Sequence, residues 1–397
     1  MEHVVQPKKI LFVLGTRPEA IKLCPLILWL KRFPNRYRVR VCVTAQHRHM
    51  LDQVLSIFGV APDHDLDLMV PGQTLIASTS RILAGLEPVL DLEKPDMAVV
   101  QGDTTTTFCG SLAAFYQQVP VAHVEAGLRT GDLQQPFPEE LNRLLASRMT
   151  TLHFAPTKGA AENLCREGIR PERIEITGNT GIDALLYVKR EFIDRQCHSA
   201  SDSWLVPGKK LILVTAHRRE SFGRGLHAIC AALKRLAARD DVHIVFPIHP
   251  NPNVQRPVRQ QLGGHPRVTL VEALDYVEFV GWMSRSYLLL TDSGGIQEEA
   301  PSLGKPVLVL RETTERPEAV RAGTVRLVGT DVERIVSQAS LLLDSDHEYA
   351  RMTRRHNPYG DGHACVRIES RLRAFFGFPA AQHEHQHSSP TLPQPVS

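Results

Sequence analysis

Short apolar runs of strand length alternate with longer stretches of helical periodicity along most of this chain. The runs are almost continuously apolar, which is typical of parallel strands that are buried on both faces of a sheet. In the first half, the pattern predicts strands at residues 10–14, 39–44, 97–101, 121–125, 152–154 and 174–177. After a polar stretch at 195–210 the pattern restarts, and it predicts strands at 211–215, 243–248, 268–271, 287–291 and 307–310.

The two consecutive series of strands and helices predict two doubly wound α/β domains, each built on a parallel sheet. Thr16 is predicted to cap the first helix, because Glu19 follows at the spacing of a capping box. Ligands of such sheets bind beyond the carboxyl ends of the strands. We therefore expect the functional residues in the loops that follow strands, in a cleft enclosed by two facing domains.

The bulk composition is that of an ordinary globular protein and excludes several classes. The chain has 397 residues, 43% of them hydrophobic and 22% charged, which is enough for two domains of ordinary size. The net charge of +3 implies no basic surface for nucleic acid. Seven scattered cysteines without a C-x-x-C pair favour reduced thiols in a cytosol. No apolar run approaches the ~18 residues of a membrane span, and the polar N-terminus is no signal peptide. The tail at 380–397, rich in His, Gln, Ser and Pro, is predicted to be disordered.

The stretch 291–299 (TDSGGIQEE) lies between a predicted strand and a predicted helix. A Ser-Gly-Gly turn in that position exposes backbone N–H groups at a helix N-terminus, an arrangement that binds phosphate. Glu299, about one turn into the helix, is placed to accept hydrogen bonds from ribose hydroxyls. This stretch predicts a nucleotide diphosphate site, and the alternative is an ordinary turn with glycines for steric reasons. Because the chain contains neither G-x-G-x-x-G at its first turn nor a P-loop, a dinucleotide cofactor is not expected.

Three acidic residues follow predicted strands or open the next helix: Asp103, Glu125 and Glu139. Glu125 ends an otherwise apolar strand, where a carboxylate is costly unless it is paired or used. Asp103 can instead be a helix cap, and Glu139 can form a helix salt bridge with Arg143 four residues later. Their predicted convergence on one sheet edge favours acid–base chemistry.

Four basic residues lie where a phosphate group would bind. Arg17 and Lys22 lie near the N-terminus of the first predicted helix, although solvated surface positions are the alternative. His217 stands where a strand ends, with three arginines close by in the sequence, and can neutralise or protonate a leaving phosphate. A structural histidine is the alternative there. Arg316 follows the strand after the Ser-Gly-Gly turn and is predicted to lie next to a bound diphosphate.

Ten strings occur in an order that is typical of one enzyme family. They are GTRPEAIK (15–22), TAQHR (44–48), GDTTTT (102–107), HVEAGLRTGD (123–132), PEE-x-NR (138–143), GNT-x-IDAL (178–185), HRRESFGRG (217–225), TDSGGIQEEAPSLGKPV (291–307), TTERPEAV (313–320) and NPYGDG (357–362). Together they resemble the non-hydrolysing UDP-N-acetylglucosamine 2-epimerases of bacteria, over about residues 9–376. Any one string is weak evidence, but ten in sequence are specific.

The resemblance implies a GT-B-like fold, with two facing Rossmann-like doubly wound domains and a C-terminal helix that crosses back to the first. The implied boundaries are 1–178 together with the crossing helix 363–378, and 179–362 for the UDP-binding domain. The implied catalytic positions are Arg17, Lys22, Asp103, Glu125, Glu139, Arg143 and His217. The implied UDP positions are Ser293, Gly294, Gly295, Glu299 and Arg316, together with Arg17 and His217.

Some relatives use a second UDP-N-acetylglucosamine molecule as an allosteric activator. The positions of this chain that match the activator site include Gln46, Gln73 and His249. The stretch 69–73 lacks an arginine that some relatives carry just before the residue matching Gln73. This departure weakens the inference of an activator site.

The implied activity is the reversible conversion of UDP-N-acetylglucosamine to UDP-N-acetylmannosamine, by elimination of UDP to a glycal and readdition. The product would supply bacterial surface polysaccharide. The resemblance implies a cytoplasmic homodimer with neither metal nor cofactor, and without membrane or nucleic-acid partners. Three alternatives stay open: a glycosyltransferase of the same fold, a hydrolysing epimerase that releases free N-acetylmannosamine and UDP, and a UDP-sugar sensor without catalysis.

Overall fold

The computed structural model of the protein describes residues 6–44, 48–70, 72–195, 206–314, 316–354 and 356–379. The chain divides into two compact units. The first contains the described residues of Met1–Tyr187 and Tyr359–Ser397, and the second those of Val188–Pro358. The tail at 380–397, predicted above to be disordered, lies outside the described residues.

The first unit is built on a parallel sheet that has seven strands among the described residues. In chain order these are β1 (Lys8–Leu14), β2 (Tyr37–Val43), β3 (His64–Asp65), β4 (Met97–Gln101), β5 (Val121–Val124), β6 (Leu152–Ala155) and β7 (Ile174–Ile176). Their order across the sheet is β3-β2-β1-β4-β5-β6-β7. The accompanying helices are α1 (Arg17–Lys31), α2 (Arg48–Ile57), α3 (Leu75–Glu93), α4 (Thr105–Tyr116), α5 (Glu139–Met149), α6 (Lys158–Arg166) and α7 (Thr180–Val188).

The second unit repeats this plan with six described strands. These are β8 (Lys210–Thr215), β9 (Val242–Pro247), β10 (Val268–Val271), β11 (Leu288–Thr291), β12 (Val307–Val309) and β13 (Val325–Leu327), in the order β10-β9-β8-β11-β12-β13. Its helices are α8 (Arg224–Ala237), α9 (Pro252–Leu262), α10 (Tyr276–Arg285), α11 (Gly294–Glu299), α12 (Pro317–Ala322), α13 (Val332–Asp344) and α14 (Asp346–Thr353). A last helix, α15 (Ala364–Phe375), belongs to the first unit.

Both sheets are doubly wound, as the sequence predicts. In each, the strand order reverses beside its first strand, between β1 and β4 in the first unit and between β8 and β11 in the second. Ligands of open α/β sheets bind at the carboxyl ends of the strands that flank such a reversal. The loops that follow these four strands are therefore where a site is expected in each unit.

The local predictions hold where the pattern is strong and fail at two of the four edge strands that the described residues form. Thr16 caps α1 in a capping box with Glu19, as predicted. The pattern did not indicate β3 or β13, which are edge strands of two and three residues. Both strands are largely half-buried or exposed, so neither forms the apolar run by which buried strands are recognised.

The C-terminal helix α15 is anchored on the first unit, as the predicted fold class requires. Asp183 of α7 accepts hydrogen bonds from the backbone N–H groups of Ala364 and Cys365, at 3.2 and 3.0 Å. Glu369 of α15 accepts a hydrogen bond from the Tyr37 hydroxyl at 3.2 Å. Burial raises the pKa of Asp183 to about 6. Residues distant in sequence thus complete one unit.

Candidate functional site

Glu125 lies directly after β5, at the carboxyl edge of the first sheet. Its φ of 64° is in the left-handed region, which costs a residue with a side chain about 1 kcal/mol or more. The strand therefore ends one residue earlier than predicted. The Glu125 carboxylate forms an ion pair with Lys22 of α1 and accepts a hydrogen bond from Gln101 Nε2 at 2.8 Å. A strained backbone that aims a carboxylate at a sheet edge is typical of a functional position.

Asp103 follows β4, the neighbour of β5, and does not cap the next helix. Thr104 is the cap of α4, because its hydroxyl accepts from the backbone N–H of Thr107 at 3.0 Å. The carboxylate of Asp103 instead accepts from Arg143 Nε at 3.1 Å, and its backbone carbonyl accepts from Asn142 at 3.0 Å. The first turns of α5 thus hold the Asp103 loop in place.

Arg143 is shared between two carboxylates, and Glu139 is not one of them. Its Nη1 donates to Glu140 at 2.8 Å, while its Nε and Nη2 donate to Asp103. Glu140 is 1% exposed and also accepts from the backbone N–H groups of Thr130 and Gly131, both at 3.1 Å. The predicted alternative, a Glu139–Arg143 salt bridge, is replaced by this arrangement because Glu140 faces the guanidinium.

Glu139 begins α5 beside this network. Its Oε2 is buried, and no group of the described residues donates a hydrogen bond to it. A buried carboxylate oxygen without a donor is costly in a folded protein. Asp103 and Glu125 thus follow two neighbouring strands and are paired with cations, while Glu139 at the start of α5 has an unsatisfied oxygen.

Glu19 of α1 holds together two loops at the carboxyl edge of the first sheet. The sequence indicated this residue only as part of the capping box of α1. It is fully buried and accepts from the backbone N–H groups of Gly15 and Thr16, at 3.0 and 2.8 Å, and from the Thr104 hydroxyl at 2.7 Å. Burial raises the pKa of this carboxyl. Glu19 therefore ties the β1–α1 loop to the β4–α4 loop. Arg17, the first residue of α1, is exposed.

His123 of β5 supports the Asp103 loop from within the sheet. Its Nε2 lies 2.7 Å from the carbonyl oxygen of Gly102, so this nitrogen carries a proton and donates. The ring is fully buried, and burial lowers its pKa to about 3. The same effect lowers the pKa of His153, which pairs with His123 across β5 and β6. Both rings are therefore neutral in the folded protein at ordinary pH.

We expect the first unit to lose stability in acid because of His123. Between pH 6.5 and 3 the unfolded chain binds a proton that the folded ring does not, so stability falls by about 1.4 kcal/mol per pH unit as pH decreases. His123→Gln keeps a donor for Gly102 and should remove this contribution. Hydrogen exchange of the β5 amides at pH 7, 6 and 5 measures the slope. His227→Gln, an exposed position on α8, is the control, and an unchanged slope in His123→Gln would contradict the expectation.

In the second unit, the Ser-Gly-Gly turn follows β11 as predicted and leads into the short helix α11. The Arg316 guanidinium lies directly against Gly294, because a Cβ on that glycine would be 2.9 Å from Arg316 Cζ. Glu298, which is 3% exposed, accepts from Arg316 Nε at 2.8 Å. Glu299 accepts from the Tyr276 hydroxyl at 3.5 Å. The predicted neighbourhood of Arg316 and the turn is thus present in the structure, with Glu298 as an anchor that the sequence did not reveal.

The two glycines of this turn should respond in opposite ways to an added methyl group. At Gly295 no atom lies within 4 Å of a built Cβ, so Gly295→Ala should raise stability by up to about 1 kcal/mol through helix propensity. At Gly294 the methyl group must displace the Arg316 guanidinium from its ion pair, and overpacking of this kind costs about 1–3 kcal/mol. Urea denaturation of the two variants side by side measures the difference. Equal stability of both would show that Arg316 is not held against the turn.

His217 follows β8 and faces the residue that precedes the Ser-Gly-Gly turn. Asp292 is fully buried, and its Oδ2 accepts from the backbone N–H groups of His217 and Arg218, both at 2.7 Å. Its Oδ1 lies 3.3 Å from His217 Nδ1. The His217 ring, 36% exposed, stacks on His249 with a centroid distance of 5.5 Å. The structure thus brings together His217, His249 and the start of the predicted diphosphate turn.

The three residues matched to an activator site are not brought together as a group by any described contact. His249 lies against His217 in the second unit. Gln73 precedes α3 in the first unit, where its Oε1 accepts from Arg81 at 3.1 Å. Gln46 lies outside the described residues. An activator role for these positions stays a prediction.

Sequence reasoning missed three buried carboxylates that hold the candidate residues in place, namely Glu140, Asp292 and Glu298. Each adjoins a residue that was singled out or lies in the same motif. A signal was available in the acidic letters within the motifs PEE, TDSGG and IQEE. Their partners are distant in sequence or depend on strand adjacency, so only the folded structure assigns them.

No helix in the part of the chain that the structure describes is both long and apolar enough to cross a membrane. Within the same residues, no three His, Cys, Asp or Glu side chains are grouped so that they could hold a metal ion.

The fold and the two sets of side chains define a two-domain α/β protein of the nucleotide-binding class, with candidate residues at the carboxyl edge of each doubly wound sheet. Residues 31–373 match the family model described as UDP-N-acetylglucosamine 2-epimerase. The UDP-N-acetylglucosamine 2-epimerase of Salmonella typhimurium is 56% identical over 372 residues, which are 92% of this chain and 99% of that protein. The Escherichia coli K12 enzyme of that name is 56% identical over 370 residues, 92% of this chain and 98% of that one.

A solved structure of an enzyme with this family name has the same fold. The UDP-GlcNAc 2-epimerase from Neisseria meningitidis, bound to UDP-GlcNAc, superposes with a TM-score of 0.86 at 48% identity, covering 92% of this chain and 100% of that one. The protein therefore belongs to the UDP-N-acetylglucosamine 2-epimerase family. The predicted family, fold class and enzyme class, an isomerase, are confirmed by these likenesses.

Proposed function

We propose that this protein interconverts UDP-N-acetylglucosamine and UDP-N-acetylmannosamine without hydrolysing them. The observation that carries the proposal is the group of three carboxylates, Asp103, Glu125 and Glu139, at the carboxyl ends of two adjacent strands and the start of α5. Two of them are ion-paired with Arg143 and Lys22. Such a group supplies both a base and an acid for moving a proton at a sugar carbon.

The reaction needs an indirect route, because the proton at C-2 of the sugar has no neighbouring carbonyl and is not acidic. We infer that UDP is eliminated across the C-1/C-2 bond. A carboxylate removes the C-2 proton, the C-1 oxygen bond breaks, and its electron pair leaves with UDP, which produces a glycal. Readdition of UDP at C-1, with protonation of C-2 from the opposite face, gives the epimer. The route requires a base, an acid and stabilisation of the leaving diphosphate.

The first unit provides the acid–base groups in this proposal. Asp103, Glu125 and Glu139 share the two proton transfers, and their individual assignment as base or acid is left open. Lys22 forms an ion pair with Glu125, and Arg143 forms one with Asp103, so each of these carboxylates lies against a cation. Arg17, exposed at the first turn of α1, is available to a phosphate group.

The second unit holds UDP in this proposal. The backbone of Ser293, Gly294 and Gly295 approaches the phosphates, and Arg316 supplies a cation that is already fixed beside the turn by Glu298. Glu299 accepts from the ribose hydroxyls, and His217 stabilises the charge on the leaving diphosphate. Cations fixed in advance favour a transition state in which that charge develops.

One experiment tests the activity and its rivals together. The purified protein is incubated with UDP-N-acetylglucosamine alone in deuterated water and followed by NMR. The proposal predicts UDP-N-acetylmannosamine with deuterium at C-2, because the abstracted proton exchanges with solvent. Free N-acetylmannosamine would indicate a hydrolysing enzyme. Transfer of the sugar only after an acceptor is added would indicate a glycosyltransferase. An unchanged substrate would indicate a sensor.

We also propose that the protein is a cytoplasmic homodimer whose product supplies surface polysaccharide. Support for association comes from Leu92, Phe115 and Tyr116, large apolar side chains that are exposed at the ends of α3 and α4. These helix ends lie side by side, since Gln117 donates to Asp91 at 3.1 Å. Exposed apolar groups that cluster in this way are typical of interfaces. Light scattering after size exclusion gives the mass, and a monomer at micromolar concentration would refute the dimer.

A further inference from the structure

The carboxylate of Asp292 is placed to control the imidazole of His217. Asp292 is fully buried, yet only one of its oxygens is used by the backbone, since Oδ2 accepts from the N–H groups of His217 and Arg218. The other oxygen, Oδ1, lies 3.3 Å from His217 Nδ1. Among the described residues, no group donates a hydrogen bond to Oδ1. The nearby imidazole is therefore the group that can compensate its buried charge.

We propose that Asp292 is a positioning residue that holds His217 as an imidazolium with its Nε2–H directed away from Asp292, toward a bound diphosphate. The inference rests on the proposed function for the role of the diphosphate, but the state of the ring can be measured without it. A buried carboxylate beside an imidazole favours the charged ring. An imidazolium carries one proton on each nitrogen, so with Nδ1 beside Oδ1 the other proton is on Nε2, at the other side of the ring.

The backbone bonds make this orientation precise. Because Oδ2 accepts from the N–H of His217 itself, the carboxylate and the ring are held in one fixed relation to the end of β8. The strands β8 and β11 are paired in register, with Thr215 opposite Thr291. The rigid sheet thus carries both partners, and a ring on such a support loses little entropy when it binds a ligand.

The ring of His249 is stacked on His217, with 12° between the two planes. Its Nδ1 accepts a hydrogen bond from the backbone N–H of Asn251 at 3.1 Å, so the lone pair of that nitrogen is directed at Asn251. Arg218, the adjacent residue, contributes its backbone N–H to Asp292. The described contacts of His217 thus include the Asp292 carboxylate and the ring of His249, with Arg218 next to it in the chain.

A charged ring serves the leaving group without giving up a proton. The Nε2–H donates a charge-assisted hydrogen bond to a diphosphate oxygen, and this bond strengthens as negative charge builds up there. Negative charge builds up on the diphosphate in the transition states of both elimination and readdition. One fixed imidazolium therefore assists the reaction in both directions. Without Asp292 the ring would become neutral at a lower pH, and the help would be lost first at alkaline pH.

The test is Asp292→Asn, a change that keeps the size and one oxygen for the two backbone N–H groups. The amide then presents its NH2 group to Nδ1, which forces that nitrogen to accept. Two-bond proton–nitrogen NMR of the free protein, with His217→Gln used for assignment, should show His217 losing its second proton at a pH at least one unit lower than in the wild type. The matched control is Asp331→Asn at the cap of α13, where the carboxylate also accepts a backbone N–H, from Arg334 at 2.8 Å. It should change nothing.

Activity provides the second readout. We expect kcat of Asp292→Asn to fall at least about tenfold at pH 8 and by much less at pH 6, with the KM nearly unchanged. A merely structural defect would lower kcat by the same factor at both values. An unaltered titration of His217, or a pH-independent loss of activity, would overturn the inference. If instead the wild type fails to epimerise while the His217 titration still depends on Asp292, the proposed function is wrong and the Asp292–His217 assignment holds.

Discussion

Replacing Glu125 with Gln should lower kcat by about 10²–10⁴-fold, the range typical of losing a general acid or base. Gln has the same size and the same backbone cost at a φ of 64°, so the change removes the charge and little else. The amide can still accept from Gln101, but it cannot take a proton from C-2 or return one. The ion pair between Lys22 and Glu125 is also lost, which should produce a smaller fall in stability.

The measurement is the initial rate of epimer formation, together with deuterium incorporation at C-2. Glu162→Gln on α6 is the matched control, because that carboxylate is exposed and forms an ion pair with Lys158 on the same helix; its rate should be unchanged. Asp103→Asn and Glu139→Gln extend the test to the other carboxylates. If all three amide variants still exchange the C-2 proton with solvent, the acid–base assignment fails.

Arg143→Met should have the largest effect on stability. Glu140 is 1% exposed, and its Oε2 accepts from Arg143 at 2.8 Å. Removing the arginine leaves a buried carboxylate without its cation, a loss that typically costs about 3–5 kcal/mol. We expect the free energy of unfolding to fall by about 3 kcal/mol in urea denaturation at pH 7. Activity should be lost as well, since Asp103 no longer has its partner.

A double variant separates the structural role of Arg143 from its catalytic one. Glu140→Gln combined with Arg143→Met removes both charges, while the amide oxygen still accepts from Thr130 and Gly131. This variant should regain most of the lost stability and remain inactive. Arg148→Met, at the end of the same helix, is the control and should shift stability by less than about 0.5 kcal/mol. A double variant as unstable as Arg143→Met would show that the buried charge of Glu140 is not the cause.

Much of the fold could be read from the chain because parallel strands buried on both faces must be apolar throughout. The strand at 97–101 and the strand at 268–271 were placed to the residue. The edge strands β3 and β13 were not predicted, because most of their residues are only half-buried or exposed and they form no apolar run. Glu125 was assigned to the end of its strand, but its left-handed backbone ends the strand at Val124.

The positions of the candidate site residues could also be predicted from the pattern of strands, but their interaction partners could not. Polar residues that interrupt apolar strands at their ends mark the carboxyl edge of a sheet, and this rule located Asp103, Glu125 and His217. The partner of each side chain was not predictable. Helix spacing offered a pair of Arg143 with Glu139 as an alternative, yet Arg143 binds Asp103 and Glu140, because the packing of α5 against the end of β4 decides which carboxylate it meets.

What the sequence alone determined is the plan of this protein: two doubly wound sheets, the family, and the strand ends where its chemistry lies. These follow from periodicity and from motifs, both of which are local along the chain. The tertiary structure decided which charges meet. Asp292 is 75 residues from His217, and Glu125 is 103 residues from Lys22. Only the pairing of β8 with β11 and the packing of α1 on its sheet bring these groups within contact, since electrostatic partnership depends on distance in space.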